Sequence, residues 1–227
     1  MMSWIRSSSS ILRTCAKLAF GRGIRTSYGQ FGEDAFLQAF LREPRGIYVD
    51  VGAYDPVLYS NTYAFYRRGW HGLTVDPNPA LAPLFAFFRP RDTFVLSGVG
   101  EREESLAYHR FSDGAYNTFD AAEALARREK KHLTYLGTSS VPVRPLTEIV
   151  REARLTHIDF MNIDVEGMNE AALASHDWSL PPSVIAVEDI YFDSLHPQQS
   201  RSAAFLFKKG YELKAHIGHT LVFAKVV

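Results

Sequence analysis

Cysteine is nearly absent from this sequence, because Cys15 is the only one among 227 residues. A single thiol excludes a disulfide-stabilised scaffold and a zinc site built on several cysteines. Long apolar runs are also missing, and none approaches the roughly 20 residues that a membrane-spanning helix needs. The serine run at residues 7–10 and Arg22 interrupt the apolar stretch near the N-terminus, so a secretory signal is not expected.

Net charge is absent as well, since 25 basic residues balance 25 acidic ones. This balance argues against a nucleic-acid-binding surface that extends over the whole protein. The charge is unevenly distributed, because residues 1–32 contain five cationic side chains and no acid: Arg6, Arg13, Lys17, Arg22 and Arg25. The remainder of the chain therefore carries a net negative charge.

Residues 1–27 are interpreted as a basic N-terminal segment, and residues 28–227 as one domain. Apolar side chains in the segment recur at helical spacing, which predicts a short amphipathic helix: Trp4, Ile11, Cys15 and Leu18. Such a helix packs on the domain or frays, or it rests on an anionic membrane surface or a partner. A transit peptide has the same composition. We expect a cytoplasmic protein, with peripheral membrane contact through this segment as the open alternative.

Short apolar runs alternate with segments of helical periodicity from residue 31 onward. The predicted strands cover residues 47–51, 73–75, 93–96, 106–111, 158–163, 184–187, 211–215 and 220–226. The predicted helices cover residues 36–41, 61–68, 80–88, 168–175 and 198–209, with two more capped by Asp120 and Thr147. This alternation predicts an α/β fold with a doubly wound, mostly parallel sheet.

The end of the chain refines this fold class. Only a few residues separate the last two predicted strands, so they must be antiparallel, because a parallel return needs a long crossover. A seven-stranded, Rossmann-like sheet with an antiparallel C-terminal hairpin is the arrangement of class I methyltransferases.

Ligands of such sheets bind outside the carboxyl ends of the strands, where the strand order reverses. The first strand brings Asp50 and Gly52 to that place, and Gly52 lets a ligand approach the backbone closely. Asp76 ends the second strand, 24 residues beyond Gly52. An acid about 20 residues past the glycine turn typically holds the ribose hydroxyls of an adenosine-type cofactor.

Missing motifs narrow the choice of cofactor. Residues 50–55 lack the later glycines of G-x-G-x-x-G, which a pyrophosphate needs to approach a helix start. The sequence also lacks a phosphate-binding P-loop, a G-x-S-x-G elbow and an H-E-x-x-H zinc motif. A cofactor with adenosine but no phosphate fits better, and S-adenosylmethionine is the common one.

Several sequence blocks resemble the FkbM-type methyltransferases and occur in the same order as in that family. The blocks are Tyr28-Gly29-Gln30-Phe31-Gly32-Glu33-Asp34, Val49-Asp50-Val51-Gly52-Ala53, Ser60-Asn61-Thr62-Tyr63, Gly69-Trp70-His71-Gly72, Asp76-Pro77-Asn78-Pro79, Ile163-Asp164-Val165-Glu166-Gly167 and Val187-Glu188. The resemblance covers about residues 28–226. One departure is Tyr54-Asp55-Pro56, where the family more usually has Asn-Asp-Gly, and the proline removes a backbone donor.

The resemblance implies a class I fold, S-adenosylmethionine as cofactor and methyl transfer to oxygen, often a sugar hydroxyl of a glycan, glycolipid or glycosylated metabolite. It places Asp50 and Gly52 beside the methionine and ribose portions and Asp76 on the ribose. Further residues are expected beside the cofactor: Gln30, Asn61, Asn78, Ser97 and Gly98.

Four carboxylates follow two more adjacent strands: Asp164, Glu166, Glu188 and Asp189. They could form a Mg²⁺ site, for which Asp164, Glu188 and Asp189 are the candidate ligands. They could instead bind sugar hydroxyls, with Asp164 or Glu166 as general base, or cap the helices that follow. His196 is the alternative base.

Two other functions remain open from the residues alone. One is a non-catalytic module that binds a nucleoside cofactor, and the other is an NAD-dependent oxidoreductase. The acceptor and the oligomeric state are not predicted.

Overall fold

The computed structural model describes residues 13, 15–16, 26–165 and 167–226. The predicted amphipathic helix therefore lies largely outside the described residues, and so does the candidate base Glu166. No helix in the described ranges is long and apolar enough to cross a bilayer.

Ten strands and seven α-helices are found in residues 26–165 and 167–226. The strands are β1 (Ile47–Val51), β2 (His71–Asp76), β3 (Thr93–Leu96), β4 (Gly98–Val99), β5 (Glu104–Phe111), β6 (Tyr135–Arg144), β7 (Phe160–Ile163), β8 (Val184–Glu188), β9 (Tyr211–Ile217) and β10 (Thr220–Lys225). The helices are α1 (Glu33–Phe40), α2 (Tyr63–Arg67), α3 (Ala82–Phe88), α4 (Ala121–Arg128), α5 (Leu146–Glu152), α6 (Asn169–Ala174) and α7 (Arg201–Lys208).

The main sheet has seven strands in the order β3-β2-β1-β7-β8-β10-β9. Strands β3, β2, β1, β7 and β8 pair in parallel, and β10 pairs antiparallel with both β8 and β9. The predicted fold class, including the C-terminal antiparallel hairpin, is confirmed. The strand order reverses between β1 and β7, so the carboxyl ends of these strands border a crevice.

Alternation along the strands divides the core into two layers. Val49 and Val51 of β1 pack on one face with Leu73 and other aliphatic residues of the neighbouring strands. Tyr48 lies on the opposite face in a cluster that includes Phe160 of β7. Because strand side chains alternate, Asp50 continues the face of Tyr48, and this face therefore becomes polar towards its carboxyl end.

The predicted strand at residues 106–111 exists, but it does not belong to the main sheet. As β5 it pairs antiparallel with β6, and β4 completes a second sheet of order β4-β6-β5. Strand β6 was not predicted, because it alternates exposed and partly buried residues over most of its length instead of forming an apolar run. The connection between β5 and β6 carries the loop at residues 112–120 and helix α4.

Two residues, Asp120 and Thr147, were predicted to cap helices. Asp120 accepts hydrogen bonds from the backbone N–H groups of Ala122 and Glu123, so this predicted cap is confirmed. The prediction that Thr147 caps a helix is wrong, because α5 already begins at Leu146. The Thr147 hydroxyl instead donates to the carbonyl oxygen of Ser175 and so ties α5 to the end of α6.

Candidate active site

A cavity of about 600 Å³ opens at the carboxyl ends of β1, β2, β7 and β8. Residues 113–119, from the connection between β5 and β6, form the opposite wall. The second sheet therefore places a polar and aromatic wall over the crevice that the main sheet provides. This volume is in the range of sites that hold cofactor-sized ligands.

Gly52 allows the backbone to turn at the floor of the cavity. Its φ angle is +80°, a left-handed conformation that favours glycine. A Cβ atom at this position would lie 1.8 Å from the carbonyl oxygen of Asp164. The first two strands of the crevice, β1 and β7, can thus approach closely only because residue 52 lacks a side chain.

Asp76 lies beside this turn at the end of β2. Its two carboxylate oxygens accept backbone hydrogen bonds from Tyr54 at 3.1 Å and from Asn78 at 2.8 Å. A carboxylate has about four acceptor sites, so two remain for a ligand. Burial raises the pKa of Asp76 to about 6, although both backbone donors oppose the shift. Any further hydroxyl donor in the cavity would therefore stabilise the ionised form of Asp76.

Asp50 also lines the cavity, but its carboxylate is held within the protein. One oxygen accepts from the hydroxyl of Thr62, and the other accepts from Nδ2 of Asn162 at 2.9 Å. The guanidinium of Arg89 lies 4.0 Å away and also pairs with Asp92 at 2.7 Å. Asp50 thus links β1, β7 and the start of α2 beneath the predicted cofactor position.

Arg89 stays charged in this buried network. Burial alone would lower its pKa, but Tyr48, Asp92 and Asp50 outweigh that effect and raise it. Burial raises the pKa of Asp92, whereas the charge of Arg89 opposes this shift. The pair is therefore a buried ion pair with hydrogen-bonded surroundings, which stabilises the crevice only as long as both partners are present.

Asn61 provides an acceptor that no described residue satisfies. Its Nδ2 donates to Oδ1 of Asn162 at 3.0 Å, whereas its own Oδ1 is buried and has no hydrogen-bond partner. Asn61 lines the cavity and is 8% exposed. A buried acceptor without a donor is costly, so a ligand donor such as an ammonium group would be stabilised here.

The cavity wall after β3 forms a bay with two aromatic rings. Ser97 and Gly98 line it, together with the rings of Tyr108 and Phe119, whose centroids are 4.8 Å apart. A Cβ atom on Gly98 would lie 2.8 Å from the Phe119 ring. This bay is suited to a planar aromatic group.

The structure separates the predicted carboxylates. Asp164 and Glu188 line the cavity, whereas Asp189 does not and accepts instead from the backbone N–H of Tyr191. His196 also lies outside the cavity wall and contacts Asp193 at 2.7 Å. These positions do not support His196 as a residue that contacts the reacting atoms.

The predicted Mg²⁺ site is not supported. Within the described ranges, no group of three or more histidine, cysteine, aspartate and glutamate side chains could hold a metal ion. Asp189 does not join Asp164 and Glu188 at the cavity, because its side chain closes its own turn. Among the described residues, the three carboxylates predicted as Mg²⁺ ligands therefore do not come together as one donor set.

The predicted cofactor residues fall into two groups. Those at the cavity are Gln30, Asp50, Gly52, Asn61, Asp76, Ser97 and Gly98. Asn78 is not part of the cavity wall, because its side chain accepts from the backbone N–H of Ala80 and starts a short 3₁₀ helix. The role of each in binding a cofactor stays a prediction.

Sequence reasoning missed several residues of the wall. His219 comes from the turn between β9 and β10, and Asp113 and Asn117 come from the connection between β5 and β6. Only Asp113 had a local signal, as the first residue of a turn that its side chain closes. The others reach the cavity through strand pairing between distant segments.

Tyr54 connects the two walls. Its hydroxyl donates to Asp113 at 3.3 Å, and its φ angle of +44° is left-handed. Burial, followed by the charge of Asp113, raises the pKa of Tyr54 to about 12. Tyr54 is one of the two residues, with Pro56, at which the sequence departs from the usual family motif, and its side chain remains a neutral hydroxyl at physiological pH.

A mostly parallel seven-stranded sheet, an antiparallel C-terminal hairpin and a cavity at the strand ends together define a class I methyltransferase fold. The chain matches the Methyltransferase FkbM domain over residues 50–213, which is most of its length. The protein therefore belongs to the FkbM methyltransferase family, and the resemblance seen in the sequence is confirmed. No curated protein matches the chain.

Solved structures show only distant similarity. A TehB-like SAM-dependent methyltransferase from Corynebacterium glutamicum is 14% identical, with 98% of this chain and 99% of that chain covered and a TM-score of 0.44. A 1,6-didemethyltoxoflavin-N1-methyltransferase from Burkholderia thailandensis, solved with S-adenosylhomocysteine, is 14% identical, with 98% and 90% covered and a TM-score of 0.47. An O-methyltransferase from Bacillus cereus in complex with SAH is 11% identical, with 96% and 91% covered and a TM-score of 0.42. Similarity this weak indicates no substrate for the present chain.

Proposed function

We propose that this protein transfers a methyl group from S-adenosylmethionine to a hydroxyl oxygen, with a sugar as the favoured acceptor. The observation that carries the proposal is the pairing of Gly52 and Asp76 at neighbouring strand ends of one cavity, in a chain of the FkbM methyltransferase family. When bound, S-adenosylmethionine supplies an electrophilic methyl group on a positively charged sulfur.

The residues present fit such a cofactor at three points. Asp76 keeps acceptor capacity for the two ribose hydroxyls after its backbone bonds are counted. The unsatisfied Oδ1 of Asn61 fits the amino group of the methionine portion. The bay formed by Tyr108 and Phe119 fits the adenine ring. Phosphate is not needed at any of these points.

Asp50 is assigned a supporting role. Because its oxygens accept from Thr62 and Asn162, it fixes the Asn162 amide, which in turn orients Asn61. Its charge is offset by Arg89, so it does not hold a strong field at the sulfur. This matters because a carboxylate that stabilised the cationic sulfur of the ground state would slow methyl transfer.

Asp164 and Glu188 are the candidate general bases. Both line the cavity at the ends of adjacent strands β7 and β8. A base at this position would accept the proton from the acceptor hydroxyl as its oxygen attacks the methyl carbon. Glu166 follows Asp164 in sequence and stays a prediction from the family resemblance.

The cavity wall supports a hydroxyl-rich acceptor. Tyr54, Tyr59 and Tyr116 contribute aromatic faces, and Asn117 and His219 contribute polar groups. Alternating polar groups and aromatic faces suit sugars, which present both hydroxyls and C–H surfaces. A glycan, a glycolipid or a glycosylated small molecule all have this chemistry.

Methyl transfer can be tested with isotope-labelled S-adenosylmethionine and a panel of glycans and glycosides. Asp164→Asn is expected to lower kcat by roughly 10²- to 10⁴-fold, the usual contribution of a general base, while the affinity for S-adenosylhomocysteine stays near that of the wild type. Asp177→Asn changes an exposed carboxylate outside the cavity wall and serves as the matched control. Unchanged turnover in Asp164→Asn would move the base to Glu188 or Glu166. The proposed reaction would be refuted if no acceptor in the panel were methylated and NADH, instead of S-adenosylhomocysteine, stabilised the protein.

A further inference from the structure

Tyr54 has a backbone conformation that tyrosine seldom adopts. Its φ angle is +44°, in the left-handed region, where a bulky residue is an outlier. It stands where the FkbM family more usually has asparagine, which enters this region more readily. A strained residue persists only where its surroundings hold it, and such residues concentrate at functional sites. The contacts of Tyr54 therefore identify what this strain maintains.

The backbone of Tyr54 belongs to the proposed cofactor site. Its N–H donates to Oδ2 of Asp76 at 3.1 Å, and Asp76 is the carboxylate assigned to the ribose. The N–H groups of Gly52 and Ala53 both bond to the carbonyl oxygen of Val75 on β2. Three consecutive backbone donors therefore fix this turn to the end of β2.

The side chain of Tyr54 reaches the opposite wall of the cavity. Its hydroxyl donates to Oδ1 of Asp113 at 3.3 Å, and the raised pKa of Tyr54, about 12, keeps the proton in place. Tyr54 follows β1 of the main sheet, whereas Asp113 follows β5 of the second sheet. We call this hydrogen bond between the two walls the clasp.

The clasp lies close to the place assigned to the ribose. Gly114 follows Asp113, and a Cβ atom on Gly114 would lie 3.6 Å from both the Tyr54 ring and Nδ2 of Asn78. The backbone N–H of Asn78 donates to Asp76 at 2.8 Å. The second sheet is thus in contact with both residues whose backbones hold the Asp76 carboxylate.

Asp113 joins the clasp to the structure of its own loop. The same Oδ1 that accepts from Tyr54 also accepts from the backbone N–H of Ala115 at 3.1 Å. The N–H of Tyr116 donates to the carbonyl oxygen of Asp113 at 3.1 Å. Residues 113–117, which we call the wall loop, all line the cavity. A movement of Asp113 would therefore move this part of the wall.

We propose that the clasp retains the bound cofactor, with Tyr54 as a positioning residue that holds the wall loop over the ribose. This inference rests on the proposed function, because it takes S-adenosylmethionine as the ligand. Tyr54 serves both walls, since its backbone N–H orients Asp76 and its hydroxyl holds Asp113. Loss of the clasp frees the wall loop to move away, so the ligand leaves faster. Most differences in affinity between related complexes are of this kind.

Surface plasmon resonance of S-adenosylhomocysteine on the immobilised full-length protein tests the clasp. Tyr54→Phe removes the hydroxyl and keeps the ring. We expect its dissociation rate to rise about three- to tenfold, while the association rate changes by less than about twofold. Tyr191→Phe is the matched control, because Tyr191 is 94% exposed and lies outside the cavity wall, so both rates should be unchanged.

Two substitutions of Asp113 separate the clasp from a general loss of structure. Asp113→Asn keeps a carbonyl oxygen that accepts from the Tyr54 hydroxyl, so its dissociation rate should stay near that of the wild type. Asp113→Ala removes the acceptor and should raise the rate. Adding Tyr54→Phe to Asp113→Ala should cause little further increase, because the two side chains share one contact.

Hydrogen exchange in the free protein measures the clasp without any ligand. The backbone N–H groups of Ala115 and Tyr116 are bonded within the wall loop. They should exchange faster in Tyr54→Phe than in the wild type and in Tyr191→Phe, because the loop opens more often. The amides of the buried strand β7 should exchange equally slowly in all three proteins.

Three results would overturn the proposal. One is dissociation of S-adenosylhomocysteine as slow in Tyr54→Phe as in the wild type, and another is exchange in the wall loop that does not depend on the Tyr54 hydroxyl. The third is faster exchange in β7 as well, because the variant is then destabilised as a whole. Failure of the proposed function differs from all three: the wild type then does not bind S-adenosylhomocysteine, whereas hydrogen exchange still shows whether the clasp forms.

Discussion

Replacing Asp76 with alanine tests the central contact of the proposed cofactor site. The wild-type carboxylate has two acceptor sites left after its bonds to the backbone of Tyr54 and Asn78. Hydrogen bonds to a charged group contribute about 1.5–3 kcal/mol each, and water replaces part of that when they are lost. We therefore expect Asp76→Ala to weaken S-adenosylhomocysteine binding at least about tenfold, or about 1.4 kcal/mol.

The pH dependence of binding gives a second readout of the same contact. Because burial raises the pKa of free Asp76 to about 6, the carboxyl group is ionised above that pH. Ribose hydroxyls that donate to the ionised form lower the pKa of Asp76 in the complex. The affinity should thus be flat above pH about 6 and fall below it, by at most about tenfold per pH unit because one proton is involved.

Isothermal titration calorimetry measures both effects, and the number of protons released follows from titrations in buffers of different ionisation enthalpy. Asp76→Ala should remove the fall in affinity near pH 6 along with the tighter binding. Asp113→Asn is the comparison variant, because it changes a second carboxylate of the wall that is exposed and therefore better screened. A folded Asp76→Ala protein that binds as well as the wild type would refute the assignment of Asp76 to the ribose. Equal losses of affinity in both variants would show that a general effect of charge explains the result.

Two further variants test the framework of the site in urea unfolding of the free protein. Gly52→Ala should lower the free energy of unfolding by at least about 2 kcal/mol, because a positive φ coincides with a distance of 1.8 Å between the added Cβ atom and a carbonyl oxygen. Gly210→Ala, where φ is +83° and the added Cβ atom meets open space, should cost less, about 1 kcal/mol. Equal losses in the two variants would contradict the steric argument. Asp92→Asn should destabilise the fold by up to about 3–5 kcal/mol, because it removes the closer of the two carboxylates that pair with the buried Arg89. Glu152→Gln breaks an exposed ion pair and should cost less than about 1 kcal/mol, so similar losses in both would show that burial does not decide the effect.

The sequence by itself determined the elements of the main sheet and the neighbourhood of Gly52 and Asp76. Apolar runs fix strands locally, and parallel strands must present their carboxyl ends at one edge, so two strand-end residues meet without any knowledge of distant contacts. The C-terminal hairpin followed in the same way from the short connection before β10. These are properties of short segments and of chain length between them.

The tertiary structure alone decided which polar groups share the cavity. Strand β6 has little apolar periodicity and is defined by pairing with β5, so the wall that contains Asn117 could not be predicted. The burial of Asp50 beside Arg89 joins segments almost forty positions apart, and this pairing turned a predicted ligand contact into a support of the crevice. Hydrogen bonds and charge pairs between distant segments leave no periodic trace in the sequence, because each partner is an ordinary polar residue until the fold brings them together.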